Sequence, residues 1–185
     1  FLHSIEDNKF DFVHSSHCLE HLNNPIRGLG NWIRVLKKGG YLIVTVPDED
    51  LYEQGVFPSK FNLDHKWTFT IYKKKSWSKK SINLLEILKE FGELTEIQSI
   101  KQLNSSHRFS FPRYDQTLTP IGEAGIEFIL RKRLDEEIEN GGSLANKNKQ
   151  PEKNIRIHLN QYKNDLETLK RDNTSNKPFS DDSYI

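Results

Sequence analysis

The order of apolar and polar positions near the start of the chain predicts a strand, a helix and a second strand. Residues 9–16 (KFDFVHSS) form a short apolar stretch that is typical of a buried strand. From Pro25, apolar residues recur every three or four positions, which predicts an amphipathic helix of about three turns that is closed by Gly39-Gly40; these residues are Ile26, Leu29, Trp32, Ile33 and Leu36. Residues 41–46 (YLIVTV) are continuously apolar or β-branched, which predicts a strand covered on both faces, as in a parallel sheet.

The rest of the first 134 residues predicts a helix and two more strands after a long connection. Residues 51–80 show no regular period and contain many aromatic residues, so we expect a loop that covers a site. Residues 81–91 have the spacing of a helix, and residues 94–100 and 126–131 that of strands. We expect these two strands to pair antiparallel at one edge of the sheet. Together the elements predict an α/β fold that begins with a βαβ unit.

Residues 135–185 have a different pattern. Residues 135–151 are rich in Gly, Asn and Lys and are predicted to be a linker, and residues 172–185 a disordered tail. Between them, residues 152–171 predict an amphipathic helix with a short heptad seam; its members are Ile155, Leu159, Tyr162, Leu166 and Leu169. This seam, Ile155–Leu169, could join two chains in a homodimer or pack back onto its own domain.

Composition narrows the class of partner. The 27 basic and 26 acidic residues give a net charge of +1, so we expect no nucleic acid as partner. No apolar stretch approaches the roughly 20 residues of a membrane span. A single cysteine, Cys18, fits a reducing compartment, and we expect a cytoplasmic protein without membrane attachment. The chain has no methionine and begins at Phe1, from which we expect a fragment of a longer protein.

The segment from Phe10 to Asp48 carries a resemblance to a known family. It contains F-D-F-V-H-S-S-H-C-L-E-H-L, then N-P, then W-I-R-V-L-K-K-G-G-Y-L-I-V-T-V-P-D. This order resembles class I S-adenosylmethionine-dependent methyltransferases of the "methyltransferase domain 11" type, with Lys38 at a position where that family usually has proline. The later helix and two strands agree with the family in order and spacing.

The resemblance implies a Rossmann-like, mostly parallel sheet of seven strands with a final antiparallel hairpin. On that alignment residues 10–16 are the fourth strand and residues 41–46 the fifth. The chain would then be the C-terminal half of the domain, with the cofactor's glycine-rich loop before Phe1. The implied cofactor is S-adenosyl-L-methionine, and the implied activity is methyl transfer to a small-molecule or sugar acceptor. We expect the chain by itself to bind cofactor poorly and to be inactive.

The turn after the first strand supplies the candidate cofactor and catalytic residues. The resemblance places Ser15, Ser16, His17 and Cys18 beside the methionine portion of the cofactor. His17 and His21 lie four residues apart and would share one helix face, so both are candidate general bases. The alternative is that the Leu-Glu-His-Leu motif only fixes the turn and packs the helix.

The same turn also suggests a metal, which the sequence does not favour. Residues 17–21 spell H-x-x-E-H, the zinc motif of inverzincin proteases, in which Glu20 would be the base. A zinc-binding helix should continue, however, and this one stops at residues 23–25. Some ubiquinone O-methyltransferases hold a divalent metal with acidic residues and the histidine of this motif, but His17 stands where an acidic residue would help. We therefore assign no metal ligands from the sequence.

The two later connections supply the candidate acceptor-binding residues, which combine aromatic rings with polar groups suited to a sugar or an aromatic acceptor; they are Asp64, His65, Trp67, Arg108, Arg113 and Tyr114. The H-K-W and E-F-I-L-R-K patterns look like those of methyltransferases in surface-polysaccharide gene clusters, which favours a glycan-related acceptor. Alternatively, the aromatic residues simply cover the sheet edge.

A second hypothesis for the whole chain is that it is a non-catalytic structural or assembly module.

Overall fold

The architecture is a four-stranded mixed sheet with a small second sheet beside it. The computed structural model describes Leu2, residues 4–119 and residues 121–143, all within one unit, Phe1–Ser143. The elements are β1 (Phe10–Ser16), a 3-10 turn (Leu19–His21), α1 (Pro25–Val35), β2 (Leu36–Pro47), β3 (Thr68–Thr70), β4 (Ser81–Asn83), α2 (Leu84–Lys89), β5 (Thr95–Leu103), β6 (Gly125–Lys132) and α3 (Asp135–Glu139).

The strand order of the main sheet confirms the predicted α/β arrangement. The order is β1-β2-β6-β5, and β1 runs parallel to β2 with α1 as the crossover between them. Strand β6 runs antiparallel to both β2 and β5, so the last two long strands form the predicted antiparallel hairpin at one edge. Strands β3 and β4 pair parallel in the second sheet.

Helix α1 begins where the sequence predicts and ends earlier. The side chain of Asn24 accepts a hydrogen bond from the Arg27 amide at 2.9 Å, and Pro25 occupies the first turn. The predicted cap at Gly39-Gly40 is wrong, because the backbone is already extended at Leu36 and both glycines lie inside β2. Ile26, predicted on the apolar face, is 43% exposed, and the buried face consists of Leu29, Trp32, Ile33 and their neighbours.

The two parallel strands are less enclosed than the sequence predicts. Along β2, Leu42, Val44 and Val46 are fully buried whereas Tyr41 is exposed, so the two faces of the strand differ. Most of β1 is exposed, including Phe12 at 64%, because among the described strands β1 pairs with β2 alone. The prediction of burial was based on continuous apolarity, which does not distinguish one covered face from two.

The core lies between α1, the inner face of the main sheet and α2. Its fully buried side chains include Leu29, Leu42, Val44, Phe69, Leu84 and Phe128. Each such side chain contributes about 1.5–3 kcal/mol by leaving water. This packing fixes the ends of β1 and β2, from which the candidate site is built.

The remaining differences concern residues after β3. The helix predicted at residues 81–91 is shortened to α2, because residues 81–83 form β4 and Asn83 caps the helix by accepting from the Glu86 amide. The predicted linker begins with the short helix α3. The predicted helix at 152–171, its seam and the tail lie outside the described residues. Among the described residues, no helix is long and apolar enough to cross a membrane.

Candidate functional site

The candidate site is built on the turn that follows β1, at the edge where the parallel strands β1 and β2 end. The amide of His17 donates to the Thr45 carbonyl at 3.0 Å, which continues the strand pairing by one residue. His17 then adopts a left-handed conformation with φ of 48°, so the chain turns sharply out of the sheet. In open α/β sheets, ligands bind at the carboxyl ends of the strands, which is where this turn lies.

A cavity of about 320 Å³ opens beside the turn. It is lined by His17 after β1, Thr45 on β2, Tyr52 in the loop after β2, Leu103 at the end of β5 and residues 122–125, which lead into β6. The volume is at the lower end of the range for small-molecule sites, about 300–1,000 Å³. Five segments of the chain therefore meet around a space that could hold part of a ligand.

The carboxylate of Glu20 lies under this turn and is fully buried. Its Oε1 lies 3.4 Å from Nδ1 of His17 and 3.8 Å from Nε2 of His21. These distances allow an ionic interaction, but neither contact is a hydrogen bond, and among the described residues both oxygens of Glu20 lack a hydrogen-bond partner. His17 precedes the 3-10 turn, so the two histidines do not share a helix face as predicted. They approach the same carboxylate instead.

The loop before β3 brings Asp64 and His65 to the turn. The Lys66 amide donates to the Glu20 carbonyl at 2.9 Å, which attaches the loop to the 3-10 turn. As a result Nδ1 of His21 lies 3.0 Å from Oδ2 of Asp64, and the rings of His21 and His65 meet edge to face at 4.9 Å. His65, which is buried, lies with its Nδ1 3.0 Å from Oε1 of Glu53.

Burial raises the pKa of two groups beside these rings. It raises the pKa of Glu53, and the hydrogen bond with His65 partly opposes that shift. The ring of Tyr52 stacks on His65 at 5.7 Å between centroids and lies 6.2 Å from the ring of His17. Burial, followed by the charges of Glu53 and Glu20, raises the pKa of the Tyr52 phenol. The phenol therefore stays protonated and can donate a hydrogen bond toward the cavity it lines.

The four residues that the resemblance assigned to the cofactor occupy different environments. His17 lines the cavity. Ser15 is buried within β1, and Ser16 is exposed at its end. Cys18 is half-buried at the start of the 3-10 turn, and burial, followed by the charge of Glu20, raises the pKa of its thiol. Among the four, His17 is best placed to contact a ligand in this cavity.

The predicted acceptor-binding residues separate into two groups. Asp64 and His65 join the histidine cluster, as described above. Trp67 instead donates from Nε1 to the Leu22 carbonyl at 2.9 Å, which holds the loop against the core. Arg113 donates to the Gln54 carbonyl at 3.0 Å, and the Tyr114 amide bonds the side chain of the same glutamine.

Arg108 lies over the ring of Phe111 on the surface, 5.4 Å from its centroid. Neither Arg108 nor the Arg113-Tyr114 pair belongs to the cavity lining. Sequence reasoning missed Tyr52, Glu53 and Glu123 at the site. For Tyr52 and Glu53, the available signal was an aromatic residue directly before a carboxylate in a long loop. That signal does not predict that the two residues contact the histidines.

The sequence of this region matches a known protein family. A family model described as "Methyltransferase domain" matches residues 3–97, just over half of the 185-residue chain. The chain belongs to the methyltransferase-domain family. The match includes β1, the turn with its histidines, α1, β2 and the start of β5, and therefore the residues around Glu20.

Solved structures also resemble this methyltransferase domain, at low sequence identity. They include a SAM-dependent methyltransferase from Thermotoga maritima described as a possible histamine N-methyltransferase (23% identity, 70% of this chain and 59% of that chain, TM-score 0.37). A SAM-dependent methyltransferase from Methanosarcina mazei shares 17% identity over 71% of this chain and 63% of that chain (TM-score 0.44). The (4+2)-cyclase SpnF shares 22% identity over 70% of this chain and 52% of that chain (TM-score 0.44).

These structures are longer than the methyltransferase domain described here. The chain spans between 52% and 64% of the length of the first solved structures that it matches. No curated protein sequence matches the chain. The relationship is therefore established by the family match, and the activity of the whole protein is a proposal.

Proposed function

We propose that the protein transfers a methyl group from S-adenosylmethionine to a small-molecule acceptor, at the cavity beside His17. The observation that carries this proposal is the methyltransferase-domain match over residues 3–97. The position of the cavity supports it, because the carboxyl ends of parallel strands are the ligand-binding edge of this kind of sheet.

The described residues fit one part of the cofactor. The cavity of about 320 Å³ has room for a ligand portion, and the chain leaves the sheet at the left-handed turn of His17. We place the methionine portion of S-adenosylmethionine at this turn, beside His17. When bound, S-adenosylmethionine supplies an electrophilic methyl group. The residues of this chain then have to hold the acceptor in line with that group and take its proton.

His17 is the residue we propose as general base. Its Nδ1 faces the carboxylate of Glu20 at 3.4 Å, which favours the ring orientation that leaves Nε2 for an acceptor hydroxyl. Its side chain is 47% exposed, so an acceptor has access to it. A carboxylate behind the imidazole also stabilises the cation that forms when the ring accepts a proton. Tyr52, on the same cavity, is placed to donate a hydrogen bond to the acceptor.

His21 is assigned a different role from the one that the sequence suggested. Its Nδ1 is occupied by Asp64, and its Nε2 points to Glu20 at 3.8 Å. A ring that is directed at a buried carboxylate is a poor base for an acceptor in the cavity. We infer that His21 positions Glu20 and the loop of Asp64, and that it does not exchange protons with substrate.

The acceptor class is proposed from the surroundings of the cavity. Tyr52 offers an aromatic face, and Glu123, which also lines the cavity, offers an acceptor for hydroxyl groups. Rings beside hydrogen-bonding groups suit a sugar or an aromatic alcohol. We therefore propose a hydroxylated acceptor, and a glycan of surface-polysaccharide synthesis remains our proposal for its biological source.

The test uses the protein expressed from its full reading frame, with the 185-residue chain beside it. Methyl transfer from isotopically labelled S-adenosylmethionine is measured by mass spectrometry over a panel of nucleotide sugars and phenols. For an accepted substrate, we expect His17→Ala to reduce turnover by about 10²–10⁴-fold, the usual contribution of a general base. His14→Ala, a change of the exposed histidine on β1, should leave turnover unchanged. Equal turnover in the two variants would remove His17 from the mechanism.

A further inference from the structure

Among the fully buried carboxylates of the described residues, Glu20 differs in that neither of its oxygens has a hydrogen-bond partner. Glu49 is equally buried, but its oxygens accept hydrogen bonds from Thr68, Lys73 and Ser76 at 2.7–3.0 Å. Both oxygens of Glu20 are buried without such a partner among the described residues. Burying a carboxylate without compensation is costly, so an unsatisfied one indicates a missing cation or donor.

Two imidazole rings lie beside this carboxylate, in the positions that metal ligands would take. One ligand atom from each of Glu20, His21 and His65 lies within 4.8 Å of the other two. Zinc–nitrogen bonds of about 2.0–2.1 Å place tetrahedral ligand atoms roughly 3.3 Å apart. The contact between His21 and Glu20, at 3.8 Å, is already close to that separation. The other separations, which are at most 4.8 Å, would have to shorten when a metal binds.

Each imidazole also has its second nitrogen fixed by a carboxylate. Nδ1 of His21 lies 3.0 Å from Asp64, and Nδ1 of His65 lies 3.0 Å from Glu53. A carboxylate on one nitrogen fixes the tautomer and directs the lone pair of the other nitrogen toward a metal. Two such pairs lie beside one buried carboxylate.

We propose that Glu20, His21 and His65 form a binding site for a divalent transition-metal ion of the zinc class. The donor set of two imidazoles and one carboxylate suits zinc, iron, cobalt or nickel better than magnesium or calcium, which prefer oxygen. Three protein ligands leave one position open, as in catalytic zinc sites. The open side is that of His21, whose side chain is 28% exposed, whereas His65 and Glu20 are buried.

This site differs from the one that the H-x-x-E-H motif suggests. In the motif, His17 and His21 would be the ligands and Glu20 the base. In the proposed site, His65 from the loop before β3 takes the place of His17, and Glu20 is a ligand. The site depends on the fold of this loop and does not depend on methyl transfer, so it can be tested independently of the proposed function.

The test is direct metal binding by the untagged 185-residue chain after removal of metals with a chelator. Cobalt(II) is added and its visible absorption followed, and zinc is then titrated by calorimetry and by displacement of cobalt. We expect one equivalent to bind with a micromolar or lower dissociation constant. We expect Glu20→Gln and His65→Gln to weaken binding at least tenfold. Glu53→Gln should weaken it by about 10–100-fold, as loss of a supporting carboxylate does.

The matched control is His14→Gln, the same substitution at an exposed histidine on β1, which should bind as tightly as wild type. Absence of cobalt bands and of zinc binding in wild type would overturn the proposal, as would undiminished binding by folded His65→Gln. If His65→Gln does not fold, X-ray absorption of the zinc-loaded wild type decides. Scattering from two imidazoles at about 2.0–2.1 Å supports the site, and fewer than two overturns it.

Discussion

Nδ1 of His65 lies 3.0 Å from Oε1 of Glu53, and both side chains are buried in the loop region that follows β2. This contact joins the start of that loop to its end, twelve residues later. It also holds the His65 ring against His21 and Tyr52, and so completes the arrangement around Glu20. The stability of the loop and the geometry of the site therefore depend on the same pair.

Replacing Glu53 should destabilise the protein measurably. Glu53→Ala leaves the buried imidazole of His65 without its partner, and we expect a loss of about 1–3 kcal/mol in the free energy of unfolding. Urea denaturation in the presence of a chelator measures it without a contribution from metal. Glu93→Ala, a change at an exposed turn, should stay within about 0.5 kcal/mol of wild type. Equal stability of the two variants would mean that the pair does not hold the loop.

Acid stability should depend on the ion pair between Arg131 and Glu137. Hydrogen bonds from Arg131 at 2.8 and 2.9 Å hold the pKa of Glu137 at about 2, below its ordinary value of 4.5. A carboxyl group whose pKa is lowered by folding stabilises the folded state above its unfolded pKa. That stabilisation is lost as the pH falls from about 4.5 toward 2.

Glu137→Gln should therefore flatten the dependence of unfolding free energy on pH in this window. The measurement is a series of urea denaturations between pH 6 and pH 3. Glu136→Gln changes a neighbouring exposed carboxylate and should keep the slope of wild type. If the Glu137 variant keeps that slope too, the ion pair does not contribute in solution.

Gly40 should not tolerate a larger side chain. A Cβ atom at this position would lie 2.7 Å from the Asp11 carbonyl oxygen and 2.9 Å from that of Lys37. Both neighbours are backbone atoms in paired strands and cannot move freely. We expect Gly40→Ala to cost about 1–3 kcal/mol in thermal or urea unfolding. Gly142→Ala, where nothing lies within 4 Å, should change stability by no more than about 0.5 kcal/mol.

Phe128 should carry a large share of the core's stability. It is fully buried on β6, between the sheet and the helices, so Phe128→Ala should cost about 3–5 kcal/mol. Phe109 is 69% exposed, and Phe109→Ala should stay within about 0.5 kcal/mol of wild type. Similar losses for both, measured as shifts in the urea midpoint, would contradict the position of the core.

The main elements of the fold could be predicted from the sequence because their signals are local. Asn24 and Pro25 mark the start of α1, and the run Leu42 to Val46 marks β2. Their order also predicted the antiparallel hairpin of β5 and β6. The end of α1 could not be predicted, because Lys37 to Gly40 resembles a helix cap. In the structure these residues lie within β2, at an irregularity between its pairing with β1 at Leu36 and at Tyr41.

The candidate site was only partly accessible to sequence reasoning. The turn with His17 and His21 was found, because the motif and the strand end are adjacent in sequence. The convergence of His65 and Glu53 on Glu20 was not, since it depends on the path of a loop with no periodic pattern. Trp67, which was predicted to bind the acceptor, donates from Nε1 to the Leu22 carbonyl and does not belong to the cavity lining.

The most direct test of the proposed methyltransferase function is a calorimetric titration of the protein, expressed from its full reading frame, with S-adenosylhomocysteine. We predict saturable binding of one equivalent with a micromolar dissociation constant, and competition by S-adenosylmethionine. We also predict weaker binding by His17→Ala than by His14→Ala, because His17 lines the cavity and His14 lies outside it. Absence of saturable binding by the wild-type protein would contradict the assignment of the cavity as the site of methyl transfer.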